Sequence, residues 1–342
     1  MANDQILQLE THPPGFSIQV LRVRKQPGLF DESGFSTWWQ GGRSAYQPIP
    51  ILRYAFSGDS IFFNEYRGSA FPPVSRALSV HQVMYAEDRR YVSQPELIKM
   101  HREIETRLIE KRTYLLGTDK FGRDIFSRLL IGIRVSLSVG FVSVVISLLL
   151  GITAGAMAGY FRGWIDQIVN WIMNIFWAIP TILLAMCLYI SAGNWIENKL
   201  LLIFMAVGLT MWVDVARIVR GQFLLVTELE FITAAKSLGF SHFRTIFRHV
   251  LPNILGPVIV VACANFANAI LVESGLSYIG LGIQPPAPSW GSMLNEYKGF
   301  IDTDKAYLAL FPGLAIMLLV LAFNLLGNGL RDALDVKGKT ES

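Results

Sequence analysis

Four long stretches without a charged residue constrain this chain most. They cover residues 135–161, 167–196, 249–272 and 306–330, and each exceeds the roughly 20 residues that carry a helix across a bilayer. A fifth run, 200–213, is shorter. It continues apolar as LLIFMAVGLTMWVDVARIV if Asp214 and Arg217 lie near the cytoplasmic interface or face a protein neighbour. With 52% hydrophobic and 16% charged residues over 342 positions, the composition is far on the apolar side for a soluble domain. Five spans are therefore visible.

The connecting segments set the orientation. The loop at Arg162, the basic segment 217–248 and the C-terminal tail hold nine Lys/Arg, while the opposite loops hold three, Lys199, Lys298 and Lys305. By the positive-inside rule the nine are cytoplasmic. Counting back through the spans puts everything before Val135 outside, and its 18 Lys/Arg do not conflict with that, because segments longer than about 60 residues escape the rule. No apolar segment follows Met1, which leads into polar ANDQ without a signal-peptide core. An external N-terminus before five spans thus implies a first span upstream and six in the whole protein. The inverse orientation, with the basic loop outside, reverses the charge bias.

Residues 1–115 read differently. FSIQVLRV, PILRYAF and SIFFNEY alternate or are rich in strand formers, with Gly41-Gly42 and Pro72-Pro73 marking turns. In SQPELIKMHREIETRLIEKR, Ser93 and Glu96 have capping-box spacing and Pro95 sits in the first turn. Leu97, Met100, Ile104 and Leu108 recur at three and four, giving a helix face that can pack on the strands. Trp38-Trp39 is expected in the core of this small domain rather than at a ligand.

Soluble catalytic chemistry has little support. A nucleotide-binding loop needs Gly-x4-Gly-Lys-Ser/Thr, and Gly338-Lys339-Thr340 has Ala333 at the first glycine position. The five histidines show no paired metal spacing, Gly-x-Ser-x-Gly is absent, and Cys187 and Cys263 fall within spans, where they read as packing residues. The net charge of +4 needs no nucleic-acid partner, since cytoplasmic loops account for much of it. Within the spans, Asn265, Asn268 and Glu273 are candidates for the translocation pathway. Asn265 and Asn268 share a helix face, and hydrogen bonding between helices is the equally weighted alternative. Gly155, Gly159 and Gly163 bracket the first cytoplasmic loop, where they permit close packing or a tight turn.

The basic segment contains its own short helix. Ala234 and Ala235 are small helix formers, Gly239 closes the helix, and Leu251-Pro252 starts the next span. A helix with so little side chain on one face can seat in a cleft of another protein; a solvated connector is the plainer alternative. TAAKSLG, with Leu251-Pro252 beyond it, resembles the EAA motif of bacterial ABC importer permeases, the loop that inserts into the ATPase subunits. Thr233 stands where the motif has Glu. LGTDKFGRDIFSRLLIGIRVSLSVG (116–140) resembles the stretch before the second span in the dipeptide, oligopeptide and nickel permeases. AGYFRGWID (158–166), ESGLSYIGLGIQPPAPSWGSML (273–294) and FPGLAIMLLVLAFNLLGNGLRDALD (311–335) match the same family in order.

With the strand patterns and charge count of residues 1–115, which are longer than the family's usual outer segment, the resemblance over 116–335 gives an expected all-α polytopic membrane protein with a small mixed α+β extracytoplasmic N-terminal segment. Its parts would be an extracytoplasmic segment 1–115, a permease domain 116–335 carrying the EAA loop, and a cytoplasmic tail 336–342. It further implies the second permease subunit of a binding-protein-dependent importer for peptides, nickel chelates or similar small solutes in the bacterial inner membrane. The expected partners are a second homologous permease subunit, two ATP-binding subunits, an extracytoplasmic solute-binding protein and membrane lipid. No cofactor would be bound directly, since ATP is used by the partner ATPases. Residues 161–166 (Phe161, Gly163, Asp166) would form a first coupling helix and 233–241 (Thr233, Ala234, Ala235, Gly239) the main one. A channel or a secondary transporter is the alternative class, although neither needs an EAA-like loop. A membrane-anchored sensor would need an output domain, and the chain after Leu330 has 12 residues.

Overall fold

The computed structural model describes residues 9–27, 44–69, 71–87, 93–283 and 287–334. Trp38-Trp39, Gly41-Gly42, the ANDQ start, the Gln284–Pro286 part of the third block and the tail 336–342 lie outside these. The chain divides into two compact units, Met1–Leu130 and Ile131–Ser342.

The first unit is built on an antiparallel sheet of five strands. They are β1 (Phe16–Arg24), β2 (Tyr46–Ser57), β3 (Ser60–Glu65), β4 (Val74–Ser79) and β5 (Ile109–Tyr114), in the order β4-β3-β2-β1-β5. Alternation along the strands sends Leu21, Ile51, Ile61 and Phe63 to one face. There they meet Val80, Val83 and Met84 of α1 (Val80–Tyr85) and Leu97 and Met100 of α2 (Gln94–Glu103). The three segments expected to be strands are β1, β2 and β3. The expected helix face 97–108 is buried, but the α-helix ends at Glu103, followed by a π-helical turn, Ile104–Leu108, and then β5. IEKRTY becomes a strand because pairing with β1, from Leu21↔Ile109 to Phe16↔Tyr114, satisfies its backbone where one more charged helical turn would bury little. Ser93 is the N-cap, yet its side chain makes no capping bond.

Residues 115–128 complete this unit as a polar knot. Gly117 has φ +81°, and a Cβ there would lie 2.2 Å from the His12 carbonyl oxygen. The Thr118 hydroxyl donates to the Glu10 carbonyl (2.7 Å) and accepts from the His12 N–H (2.9 Å). Buried Asp119 accepts from Arg123 Nε (2.6 Å), Arg128 Nη1 (2.7 Å) and the backbone N–H groups of Phe121 and Arg123 (both 2.9 Å). The GTDKFGRD run is thus explained by burial of charge with full hydrogen bonding.

Most of the remaining chain is helical: α3 (Ile125–Phe161), α4 (Gly163–Ala178), α5 (Thr181–Ala192), α6 (Lys199–Val226), α7 (Glu230–Ser237) and α8 (His242–Arg244). A π-helical turn (Thr245–Val250) leads into α9 (Leu251–Asn253), α10 (Leu255–Ile279), α11 (Trp290–Tyr297) and α12 (Tyr307–Leu334). Among the described residues α3, α6, α10 and α12 are long and apolar enough to span a membrane, and α4 with α5 makes up to five as a pair bent by 95°. The continuous span expected over 167–196 is therefore corrected to a broken one. Pro180 lacks the N–H for helical bonding and holds Ile179 extended (φ −103°, ψ 129°). By contrast, the short fifth run belongs to an unbroken helix of 28 residues, α6.

Glycines set the distance between α3 and α6. A Cβ on Gly151 would lie 2.5 Å from Val215 Cβ, on Gly155 2.5 Å from the Ala216 carbonyl oxygen, and on Gly159 2.5 Å from Phe223 Cβ. Spaced by four, these residues form a groove along α3 into which α6 settles, the small-residue packing that bilayer helices use. Stacking of Phe266 on Phe323 (3.9 Å between centroids) ties α10 to α12. Cys187, expected to be a packing residue, is instead exposed on α5.

Gly155→Val should destabilise the helical unit, because its Cβ meets backbone rather than a movable side chain. Overpacking of this kind costs about 1–3 kcal/mol or more. The variant should melt earlier in detergent than wild type, whereas Gly221→Ala, where a Cβ meets nothing within 4 Å, should be nearly neutral.

Candidate coupling site

α7 is held by one edge. Ile232 and Ala235, three apart, are buried, and Ile232 packs among Val219, Phe223, Val250 and Ile254. Thr233, Ala234, Lys236 and Ser237 face outward. Around this small-residue face stand exposed Leu229, Phe231, Leu238, Phe243 and Phe247. Glu230, in the first turn, supplies the acid that favours a helix N-terminus. The C-terminus closes as a Schellman motif: Gly239 N–H donates to the Lys236 carbonyl (3.0 Å) and Phe240 N–H to the Ala235 carbonyl (3.2 Å). Gly239 has φ +75°, and no atom lies within 4 Å of where its Cβ would stand.

The helix expected over 161–166 does not exist as a separate element. Phe161 ends α3, and Gly163, Trp164 and Asp166 form the first turn of α4. Arg162 and Gly163 both have positive φ (54° and 58°), and with ψ −160° Arg162 occupies a region that is essentially glycine-only and costs about 1–3 kcal/mol. Its guanidinium is anchored across the turn. Nη2 donates to Glu228 Oε1 (2.5 Å), Thr227 Oγ1 (3.2 Å) and the Leu224 carbonyl (3.4 Å). A second tie joins Tyr160 Oη to His242 Nδ1 at 3.0 Å, with Lys236 Nζ 5.5 Å over the Tyr160 ring. The two loops are therefore one surface.

Asp166 binds the helices beneath it. Arg220 on α6 reaches it with two parallel bonds, Nε to Oδ1 (2.5 Å) and Nη2 to Oδ2 (2.7 Å), and Asn170 Nδ2 donates to Oδ1 (2.7 Å). Arg162, Arg220, Glu228, Tyr160 and His242 were missing from the residues expected to act here. The available signal was charge: an acid and an arginine beside apolar runs seek each other.

The three pathway candidates separate. Asn265 is buried and donates from Nδ2 to the Met211 carbonyl (3.3 Å), which makes it a link between α10 and α6. Asn268, three residues on, is exposed. Glu273 is fully buried, accepting from Ser277 Oγ (2.7 Å) and Ser274 Oγ (3.5 Å), and Ser277 in turn accepts from the Ile283 N–H (3.3 Å) and lies 3.4 Å from Ser289 Oγ. A Cβ on Gly282 would fall 1.8 Å from Ser277 Oγ, and one on Gly291 2.6 Å from Ser274 Cα. The ESGLSYIGLG…SWGS pattern thus closes a buried serine–carboxyl knot between α10 and α11.

Comparison with known proteins places this architecture. The family described as binding-protein-dependent transport system inner membrane component matches residues 151–337. A dipeptide transport system permease protein of Alkalihalophilus pseudofirmus is 45% identical over 224 residues, 66% of this chain and 72% of that protein. A glutathione transport system permease protein of Pectobacterium atrosepticum is 43% identical over 225 residues, 66% and 73% of the two chains. Among solved structures, an inward-facing form of the MetNI methionine ABC transporter shares the fold, with TM-score 0.52 at 19% identity over 61% of this chain and 96% of that one.

Removing the Asp166–Arg220 pair should loosen the turn without preventing membrane insertion. Arg220→Met and Asp166→Asn should each cost about 1.5–3 kcal/mol, the range for hydrogen bonds to charged groups. The double variant should cost less than the sum. A thermal double-mutant cycle in detergent measures the coupling, and additive losses would show that the pair contributes nothing as a pair.

Proposed function

This chain belongs to the family of binding-protein-dependent transport system inner membrane components, and on that premise we propose how it acts. It is a multi-pass transmembrane subunit of an ABC importer and not itself an ATPase; hydrolysis belongs to a partner subunit. Our reading is that it forms half of the route for peptides or similar small solutes in the bacterial inner membrane. Its partners would be a second homologous permease subunit, two ATP-binding subunits and an extracytoplasmic solute-binding protein. The names of the dipeptide and glutathione permeases support the substrate class.

One observation carries the coupling role: the outer face of α7 (Thr233, Ala234, Lys236, Ser237) is ringed by exposed apolar side chains, and the segments on either side of α7 are tied to the α3–α4 turn, Glu228 by Arg162 and His242 by Tyr160. A push on that face by a closing ATPase pair is passed to α3, α4 and α6 as a unit, because packed contacts and ion pairs, unlike free loops, transmit displacement. ATP closure would then swing the spans from inward-facing to outward-facing, with Thr233, Ala234 and Gly239 seated on an ATPase, Ala235 turned inward on the buried edge of the helix rather than onto the partner, and Phe161, Gly163 and Asp166 supporting them.

Gly239 tests this. Arg at the position pays about 1–2 kcal/mol for the left-handed conformation and projects a long cation into the space a partner would fill. Asn tolerates that conformation and is small. Gly239→Arg should insert normally, drop uptake to background and lose ATPase copurification, whereas Gly239→Asn should retain most of both. Normal uptake by Gly239→Arg would reject the docking role.

The positive-inside count also supports an extracytoplasmic segment 1–115. In a background lacking Cys187 and Cys263, Ser57→Cys should react with a membrane-impermeant thiol reagent in cells whose outer barrier is opened, and Ser241→Cys should not. Both positions are exposed. Labelling of Ser241→Cys alone would invert the topology.

A further inference from the structure

Asp214 is exposed on α6, 12 residues before the helix ends at Val226. At 1.5 Å per residue that is about 18 Å along the axis, so the carboxylate stands near the middle of the helix, one turn before Arg217. No hydrogen bond or ion pair reaches it among the described residues. The nearest cation in sequence, Arg217, is close enough for its charge to act on Asp214 but makes its direct contacts elsewhere, donating to Asn174 Oδ1 (3.2 Å) and lying 3.9 Å over the Trp177 ring.

A cavity that Asp214 does not itself line begins one helical turn beyond it. Ile218 and Gln222, at four and eight residues on, share the face that carries Asp214. They line a space of about 480 Å³ together with Pro257 and Val260 of α10 and Arg331 and Leu334 of α12. Such a volume suits a small solute. A carboxylate turned to hydrocarbon is expensive, and it is tolerated where it lines water or meets a cation. The opposite charge on the cavity wall, Arg331, is complementary to an anionic group.

We propose that Asp214 is a substrate-facing, specificity-determining residue that receives the ammonium group of the solute, such as a peptide N-terminus, during passage. This rests on the peptide-importer reading above. It adds a selection for free amines within the membrane subunit.

Two measurements on the assembled complex test it. With Cys187 and Cys263 replaced, Ile218→Cys is exposed to a cationic and an anionic methanethiosulfonate reagent, with Asp214 or with Asp214→Asn alongside. A unit charge one helical turn away should favour the cationic reagent by about tenfold even in a water-like dielectric. That preference should vanish with Asp214→Asn. Separately, proteoliposomes holding the full complex and its binding protein are assayed for uptake of labelled alanyl-alanine, which Asp214→Asn should slow about tenfold with ATPase copurification unchanged. A thiol unreactive towards both reagents, a preference that survives Asp214→Asn, or loss of the partner permease from the Asp214→Asn complex would each overturn the proposal, the last by making Asp214 an interface residue. Failure of the wild-type complex to import the dipeptide would overturn the peptide reading instead, and the reagent ratios would still decide whether Asp214 presents its charge to water.

Discussion

The close approach of α3 to α6 is the constraint on which the coupling surface depends. Gly151, Gly155 and Gly159 let the α6 backbone come so near that any side chain at the second of them would strike a carbonyl oxygen. With the helices at that distance, Arg220 on α6 can grip Asp166 with both guanidinium arms, and Arg162 can reach the end of α6 from the turn beyond. Ile232 then drops into the apolar space between α6 and α9–α10. No single bond in this chain of contacts is strong. Together they leave α7 little freedom to move without the spans, which is what a coupling element requires.

How much of this was legible follows from the range of each interaction. The apolar runs and the Ala-Ala…Gly signature of α7 are local patterns, and local physics decides them. The Schellman closure at Gly239 is likewise a short-range consequence of a glycine after a helix. The 95° break at Pro180 was also local, but run length outweighed the proline in reading 167–196 as one span. β5 was hidden because IEKRTY continues a helical pattern and becomes a strand only when β1 is beside it. Arg162 was invisible for a different reason. A glycine-only backbone conformation at an arginine is compensated by acceptors more than 60 positions away in sequence, Leu224, Thr227 and Glu228, and no window along the chain contains both.

The polar residues inside the apolar segments divide into two kinds, and the distinction is whether the protein itself answers them. Glu273 is enclosed by serine hydroxyls, and Asn265 is spent on a neighbouring helix. These groups hold elements together, and their burial makes them poor contacts for a moving solute. The signature blocks at 116–140 and 273–294 are conspicuous in the sequence for the same reason: glycine, serine and buried charge are demanded wherever backbone closes tightly over polar atoms.

Asp214 belongs to the other kind. Its carboxylate is neither capped nor paired by the chain that carries it, and the helix around it is continuous, so no unwound backbone is there to serve it. An isolated subunit in lipid would hold such a group only at high cost. The cost disappears when the face it occupies opens on water or on a passing cation, and the cavity running from Ile218 towards Arg331 lies on that same face. A soluble domain would use such exposure for solubility. In a membrane subunit the same exposure has to be met from outside the chain, which ties this side of α6 to transport rather than to folding.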